Sequence, residues 1–265
     1  MNFNSPKIMN LKVYRYKVNC LKKTYGHQNS VELNERMLKL CRSVYDECKE
    51  TMKDWELEIM ISEYQRYLKT NGAPREIDDV LNEREKVCRQ LAKRSFRKYG
   101  KRWADSLYLR AYHNSRRRAS LKDYDTAIAV YERLQNLYNV DVKMKLAACL
   151  RHAAMCCNNR NLHSKVIRYH DKQLAILLAL KKPDEEVLFN IGCAYKDEGE
   201  AYLALGQYEK SVECFTRARE IFVKSEKMYG DDVDRFFFNG VFIDAIDSFL
   251  DEIERKSRGA SGKKT

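Results

Sequence analysis

Glycine and proline are scarce in this sequence, with 10 glycines and 3 prolines among 265 residues. All-β folds need many turns, and turns depend heavily on these two residues. The shortage therefore predicts long helices joined by short turns. The sequence also has no run that approaches the ~18 consecutive apolar residues of a membrane-spanning helix. We expect no insertion into a membrane.

Paired cysteine motifs are absent as well. The nine cysteines are odd in number and form no C-x-x-C pair, and most lie on apolar helical stripes. The first 20 residues have no apolar core followed by the small-residue cleavage site of a secretory signal. Without such a signal, cysteines are expected to be reduced and buried. The pattern predicts a cytoplasmic location.

Short catalytic motifs are missing too: there is no P-loop, G-x-G-x-x-G, G-x-S-x-G or H-E-x-x-H. Cys149, His152 and Cys156 share one helix face, where two sulfurs and an imidazole could begin a zinc site. A structural zinc site needs four ligands, usually from two segments, and no second pair has ligand spacing. We expect no enzyme activity, no catalytic residues, no metal and no cofactor.

Charge is abundant and unbalanced. Charged residues make up 33% of the chain and hydrophobic residues 44%, and the formal net charge is +12. This composition is typical of a globular protein rather than a disordered one. The positive charge suits nucleic acid, an anionic membrane, the acidic surface of microtubules or an acidic peptide, and it selects none of them.

The first hundred residues predict helices. Apolar residues spaced by four and three from Val31 to Lys69 predict one long helix or a tightly broken pair. The breaker "TNGAP" (70–74) follows. A second helix is expected over 75–99, ended by Gly100. Helical periodicity then continues to about Arg118.

The stretch "EGEAYLALGQYEKSVECFTRARE" (198–220) places small and aromatic residues at regular intervals in a helical run. Each glycine in a helix interior costs roughly 1 kcal/mol against alanine, so close packing of two helices is the first candidate for compensation. The pattern resembles the tetratricopeptide repeat, a helix–turn–helix unit of about 34 residues. The residues on the repeat's packing positions are Tyr195, Gly199, Tyr202, Gly206, Tyr208, Ser211, Phe215 and Ala218.

Two earlier stretches resemble the second half of this repeat. They are "LKDYDTAIAVYERL" (121–134), with Tyr124, Ala127, Tyr131 and Leu134, and "NLHSKVIRYHDKQLAI" (161–176), with His163, Val166, His170 and Gln173. Their spacing is longer than the ~34 residues of a minimal repeat. Long units with "YHDKQLAI" in the second helix resemble the Pins/LGN type of tetratricopeptide array. Some axonemal dynein-docking proteins share this style.

The resemblance implies an all-α tetratricopeptide-type α-solenoid with an N-terminal helical region and a C-terminal capping helix. The open end of the stack would be closed by Val233, Phe237, Val241, Ile246, Phe249, Leu250 and Ile253. The predicted divisions are a basic N-terminal segment (1–30), N-terminal helices that are a cap or degenerate repeats (31–104), an array of about three units (105–225), a C-terminal capping helix (226–256) and a disordered tail (257–265).

The resemblance also implies a groove lined by the first helix of each unit. The positions that it assigns to the groove are Tyr112, Arg116, Arg151, Met155, Asn158, Asn159, Lys196 and Glu200. Arginine offers paired donors to carboxylates, and asparagine bonds peptide backbone. The expected occupant is an acidic or helical segment of another protein. The alternative is that these are ordinary solvated side chains.

The stretch "REKVCRQLAKRSFRKYGKRW" (84–103) is the densest basic run. Its cations form a predicted basic surface of Arg89, Lys93, Arg97, Lys98, Lys101 and Arg102, interleaved with Phe96, Tyr99 and Trp103. Cations beside aromatic rings can hold a phosphate backbone and stacked bases, and they suit acidic protein surfaces equally well. The alternative is a solvated helix face with its aromatics buried on the other side.

The sequence therefore predicts a non-catalytic scaffold or adaptor for protein–protein interaction. A narrower hypothesis is a cytoskeletal or axonemal docking subunit with microtubule- or dynein-associated partners, in the cytoplasm, the cytoskeleton or a cilium. The rival hypothesis is an RNA-binding helical-repeat protein that uses the basic 84–118 segment.

Overall fold

The structure, a computed structural model, is helical in the part of the chain that it describes. The described residues are 11–25, 31–48, 53–71, 74–117, 119–135, 140–229 and 233–261. They contain eleven helices and no strand: α1 (Leu11–Tyr25), α2 (Val31–Cys48), α3 (Asp54–Asn71), α4 (Pro74–Arg94), α5 (Phe96–His113), α6 (Ala119–Gln135), α7 (Val140–Asn158), α8 (His163–Leu178), α9 (Glu185–Ala204), α10 (Tyr208–Tyr229) and α11 (Val233–Ser261). None of these helices is long and apolar enough to cross a bilayer.

Local sequence signals account for several helix ends. Pro74 is the first residue of α4, a position where its missing N–H is not needed. Asp184 precedes α9 and accepts a hydrogen bond from the backbone N–H of Val187 at 2.8 Å. Gly206 follows α9 with a φ of 71°, the left-handed conformation that glycine adopts without strain.

The helices form two compact units, residues 1–114 and residues 115–265. The first contains α1 to α5 and the second α6 to α11, and within each unit consecutive helices pack on one another. The core of the first unit is centred on side chains with no exposed surface: Met37, Cys41, Val44, Met60 and Ile61. In the second unit, apolar side chains of α7, α8 and α9 form one core, and those of α9, α10 and α11 form another.

The N-terminal helices differ from the prediction at one break. The run from Val31 to Lys69 is the pair α2 and α3, and "TNGAP" separates α3 from α4. The next helix, however, ends at Arg94, because Ser95 adopts an extended conformation with φ of −152° and ψ of 91°. The prediction that Gly100 ends a helix over 75–99 is wrong, since Gly100 is buried inside α5.

This break also divides the predicted basic surface. Arg89 and Lys93 lie on α4, whereas the other four cations lie on α5. The extended Ser95 interrupts the helical register, so the six cations do not lie along a single helix. The regular spacing in the sequence predicts one cationic face only for an unbroken helix, and the helix is broken at Ser95.

The C-terminal helix packs its aromatic face on α10. Phe249 stacks on Phe215 with ring centroids 5.1 Å apart, and Phe242 stacks on Phe222 at 5.2 Å. Ile246 and Ile253 are buried beside them. The prediction that Val241 helps to close the open end of the stack is wrong. Its side chain is 50% exposed, and Phe242, the next residue, packs inward.

Two expectations for this region fall partly outside the described residues. The side chains of Val233 and Phe237 are among those that the structure does not describe. The tail expected to be disordered from residue 257 begins within α11, which continues to Ser261.

Candidate functional site

The glycines of the repeat lie where α9 meets α10. A Cβ added at Gly199 would lie 2.8 Å from the ring of Phe215, and one added at Gly192 would lie 2.8 Å from the ring of Phe222. Separations this short displace a buried ring. Close approach of two helices therefore compensates the low helix propensity of glycine at both positions. Gly192 is a second such contact, which the repeat motif did not include.

The α9–α10 contact is also hydrogen-bonded. Ser211 occupies a position where the repeat usually has alanine, and its buried hydroxyl donates to the carbonyl oxygen of Gly199 at 2.8 Å. The turn between the helices is closed by backbone N–H groups of Leu205 and Gln207, which donate to carbonyls in the last turn of α9. The sequence departure at Ser211 is thus accommodated by a specific contact.

The two earlier repeat-like stretches bury most of their motif residues. Those of α6, which are Tyr124, Ala127, Tyr131 and Leu134, are all essentially without exposed surface. On α8, Val166, His170 and Gln173 are equally buried. In the last unit Phe215 and Ala218 are fully buried, but the three motif tyrosines are less so: Tyr195 and Tyr202 are half-buried, and Tyr208 is 39% exposed.

Two helix faces carry most of the predicted groove residues. On α7 the partly exposed face is formed by Met144, Ala148, Arg151, Met155 and Asn158, spaced by three and four. On α9 the corresponding face is formed by Phe189, Cys193, Lys196 and Glu200. Phe242 of α11 packs on part of this α9 face, since its ring contacts Phe189 and lies 5.9 Å from the ammonium group of Lys196. We call these two faces together the α7–α9 face. A hydrogen bond from Nη1 of Arg151 to Oδ1 of Asn190 joins them.

Arg151 is a cation of the α7–α9 face, and its hydrogen-bond partner is the neutral side chain of Asn190. Asn190 holds its guanidinium, and the amide of Asn190 donates in turn to the backbone carbonyl of Glu186 at 2.9 Å. In the described part of the chain no carboxylate pairs with Arg151. The guanidinium is therefore positioned by the next helix while its charge is not neutralised.

Lys196 has a different environment. Its ammonium group donates to Glu200, one turn further along α9, and to Oδ1 of Asp197 at 3.4 Å. Burial would lower the pKa of Lys196, but these two carboxylates outweigh it and raise the pKa. Lys196 and Glu200 were predicted as separate partner contacts, and the structure pairs them with each other.

A buried histidine extends this cluster. Nε2 of His170 lies 3.5 Å from Oδ2 of Asp197, and its Nδ1 lies 2.9 Å from Oε1 of Gln173. Burial would raise the pKa of Asp197, but the nearby imidazole of His170 and the ammonium group of Lys196 hold it below its usual range. Asp197 is therefore an anion that ties α9 to α8.

The remaining predicted groove residues are not members of this cluster. Met155 is 47% exposed near the end of α7, Asn158 is the last residue of that helix, and Asn159 is in the turn that follows. Arg116 is exposed in the turn after α5, not on a helix face as expected. Tyr112 belongs to the first unit, where it is exposed on α5 and its ring centroid lies 6.3 Å from that of Tyr108.

The basic segment makes inward contacts that the sequence did not reveal. Arg102 forms an ion pair with the buried carboxylate of Glu58, and Arg84 lies 3.5 Å from the same group. The indole N–H of Trp103 donates to Glu85 at 3.0 Å. These carboxylates on α3 and α4 turn part of the segment into a structural network of the first unit.

The rest of the predicted basic surface is more exposed. Arg89 lies 3.5 Å from Glu85, whereas Lys93, Arg97 and Lys98 point outward. Lys98 lies over the ring of Tyr99. Phe96, Tyr99 and Trp103 are all half-buried, so none presents a fully open ring face to a base.

The cysteines and histidine of α7 do not form a ligand cluster. Cys149, Cys156 and Cys157 are buried, and burial raises the pKa of the Cys157 thiol to about 11. Burial likewise lowers the pKa of His152, whose Nδ1 contacts the carbonyl oxygen of Ala148 at 2.8 Å. The described residues contain no group of three or more potential ligands that could hold a metal ion.

Sequence reasoning did not predict the contacts around Arg151 and Lys196. These contacts involve Asn190, Asp197 and His170. Asn190 stands 39 residues from Arg151, so only the stacking of consecutive helix pairs brings them together. His170 and Gln173 were assigned to packing positions, and both are buried, but their link to Asp197 required the position of α9. Asn190 lies six residues before the predicted groove position at 196, so the repeat register did not point to it.

Comparison with known proteins agrees with this architecture. The family model described as tetratricopeptide repeat matches residues 198–221. The fold is similar to that of BtubC (BKLC) from P. vanneervenii, with a TM-score of 0.56, 14% identity, and coverage of 83% of this chain and 91% of that one. No curated protein matches the sequence.

Two further solved structures have the same fold. A putative kinesin light chain of Podosopora anserina with nearly identical TPR-like repeats has a TM-score of 0.55 and 13% identity, covering 84% of this chain and 99% of that one. The apo form of RapI has a TM-score of 0.56 and 12% identity, and the match covers 96% of this chain and 76% of that one. The predicted fold class, an all-α tetratricopeptide-type α-solenoid, is confirmed.

Proposed function

We propose that this protein is a non-catalytic scaffold or adaptor that binds a segment of another protein on the α7–α9 face. Folds built from such repeats generally mediate protein–protein interaction and offer extended binding surfaces. The observation that carries the proposal is Arg151, a half-buried guanidinium positioned by Asn190 with no carboxylate partner among the described residues.

The chemistry of this face favours an acidic segment. A planar guanidinium makes two parallel hydrogen bonds to a carboxylate, so Arg151 is suited to an aspartate or glutamate of the partner. Met155, exposed one turn away, supplies an adaptable apolar contact. Lys196 contributes less, because binding an anion there competes with Glu200 and Asp197.

The cytoskeletal or axonemal docking role is a narrower form of the same proposal. It is supported by the long-repeat Pins/LGN-like style and by the net charge of +12, which suits the acidic surface of microtubules. Co-sedimentation with polymerised tubulin tests it: we expect the protein in the pellet at low salt. Protein that stays in the supernatant in every salt condition contradicts the docking role while leaving the adaptor proposal intact.

The test of the adaptor is an affinity capture with nuclease treatment, followed by crosslinking from the face itself. A photoreactive amino acid in place of Met155 is expected to crosslink a specific protein, whereas the same amino acid at Lys122, exposed on α6, is expected to crosslink none. Arg151→Ala is expected to weaken capture of that protein at least tenfold, since a hydrogen-bonded charge pair contributes about 1.5–3 kcal/mol.

Arg168→Ala is the matched control, because it removes an exposed arginine from α8. We expect capture by this variant to equal that by the wild type. Equal loss in both variants would point to non-specific charge, and no loss in Arg151→Ala overturns the assignment of the face. Interactions removed by nuclease would replace the adaptor with the RNA-binding alternative.

A further inference from the structure

A separate cavity lies between α8, α9 and α10, formed by residues other than those of the α7–α9 face. Its volume is about 440 Å³. Apolar and aromatic side chains form its walls, among them Leu174 and Leu178 on α8 and Tyr195 and Tyr202 on α9. Leu178 is 54% exposed, so the wall is open to solvent at that side.

A buried carboxyl group lines this cavity. Glu198 is 3% exposed, and its Oε1 is buried without a hydrogen-bond partner among the described residues. Its other oxygen accepts only a long contact of 3.8 Å from the thiol of Cys214. A buried carboxyl oxygen without a partner is costly, and a donor entering the cavity would remove that cost.

A second carboxylate faces the same space. Asp171 on α8 lines the cavity, and its negative charge acts directly on Glu198. Burial first, and then the charge of Asp171, raise the pKa of Glu198 to about 8. When Glu198 loses its proton, the exposed carboxylate of Asp171 and the buried carboxylate of Glu198 form a site whose negative charge a cation would balance.

The two cations that line the cavity, Arg217 and Lys210, contact groups other than the carboxyl group of Glu198. Arg217 pairs with Glu213 at 2.7 Å and lies over the ring of Tyr195. Lys210 lies over the ring of Tyr202. Neither donates a hydrogen bond to Glu198 among the described contacts. The rim cations therefore leave the buried oxygen of Glu198 without a donor.

We propose that this cavity receives an arginine side chain of a partner protein, with its aliphatic stem against Leu174 and Leu178 and its guanidinium between Asp171 and Glu198. Arginine fits because its planar fork can donate to two carboxyl groups while its faces lie against aromatic rings. The site is independent of the α7–α9 face, where the chain supplies the arginine and the partner the carboxylate.

Amide-resolved NMR on the full chain tests the proposal with a small probe. The probe is Nα-acetyl-arginine methylamide at millimolar concentration, and the control is the citrulline analogue, a neutral near-isostere. We expect saturable shifts of amides in α8, α9 and α10 with arginine and none with citrulline. Equal shifts from both probes, or none from arginine, overturn the proposal.

Three substitutions sharpen the result. Glu198→Gln, which keeps the shape but not the charge, is expected to weaken arginine binding roughly tenfold or more. Asp171→Asn, at an exposed position whose change should not affect folding, is expected to weaken it several-fold. Lys210→Ala removes a positive charge at the rim that repels the entering guanidinium, and it is expected to strengthen arginine binding. Arginine binding that is unchanged by all three contradicts the proposed contacts.

The pH dependence gives an independent readout. The groups facing Glu198 are Asp171 on α8, Tyr195 and Tyr202 on α9, and Lys210, Glu213, Cys214 and Arg217 on α10. Burial raises the pKa of Cys214 to about 12, so between pH 6 and 8.5 Glu198 is the group that changes charge. Arginine binding is expected to tighten as pH rises through this range, and binding that weakens overturns the proposal.

Discussion

Gly192 and Gly199 each face an aromatic ring of α10 at a separation that leaves no room for a methyl group. Helix propensity alone would favour alanine at both positions by about 1 kcal/mol. Tertiary packing therefore opposes the local preference. The glycines are retained in the helix because the two backbones must approach closely.

Replacing Gly199 by alanine is expected to destabilise the protein by about 1–2 kcal/mol. Displacing the ring of Phe215 costs roughly 1–3 kcal/mol, which the better helix propensity of alanine offsets only in part. Gly240→Ala is the matched control, because a Cβ there meets nothing within 4 Å. It is expected to stabilise by up to about 1 kcal/mol. Urea unfolding of both variants measures the difference, and the same sign for both contradicts the packing argument.

The free energy of unfolding is expected to depend on Glu198. Burial, with the charge of Asp171, raises its pKa to about 8 from an ordinary 4.5. Between these values the folded protein keeps a proton that the unfolded chain has lost, so stability falls as pH rises from about 5 to 8. The loss is on the order of 3 kcal/mol.

Glu198→Gln should flatten that profile and make the protein more stable than the wild type at pH 8. Denaturant unfolding at pH 5, 6.5 and 8 measures it. The control is Glu220→Gln, an exposed change on α10, which should leave the slope intact. A wild-type slope in Glu198→Gln would mean that another group carries the pH dependence.

At the scale of elements, α11 is attached to the repeat by stacked rings. Phe242 contacts both Phe222 and Phe189, with centroids 5.2 Å and 5.7 Å away. The pair with Phe222 is stacked and the pair with Phe189 is edge-to-face. Both kinds of aromatic pair add to the hydrophobic contribution of the buried area. The helix therefore covers apolar side chains of α9 and α10 that would otherwise face water.

Phe242→Ala, which removes the ring, is expected to destabilise the second unit by roughly 2–4 kcal/mol. Val241→Ala, one residue earlier and on the exposed side, should change stability by less than about 0.5 kcal/mol. Hydrogen exchange of α10 amides, together with urea unfolding, distinguishes loss of the α11 contact from global unfolding. Equal effects of the two substitutions contradict the assigned orientation of α11.

At the scale of the whole molecule, the charge of +12 governs how partners approach. Long-range attraction between opposite charges speeds association and is screened by salt. The association rate with a polyglutamate peptide is expected to fall several-fold between 50 and 300 mM salt. Stopped-flow measurements test this. Arg151→Ala should mainly raise the dissociation rate, because it removes a positioned contact.

The sequence located the repeat well because the repeat is a local pattern. Small and aromatic residues at fixed intervals predicted the α9–α10 pair, and Gly206 marked the turn between its helices. The break between α4 and α5 at Ser95 could not be predicted from such a local pattern. Periodicity continues through it, and the interruption is visible only in the backbone conformation.

The composition and spacing of the chain determined its class: few breakers and a repeat of small and aromatic residues specify packed helix pairs. The tertiary structure alone decided which charges remain available. Arg102 is drawn to the buried Glu58 on α3, whereas Arg151 on α7 meets a neutral asparagine on α9. Helical periodicity assigns a side chain to a face, but its electrostatic partner comes from another helix, whose position depends on the packing of the whole unit.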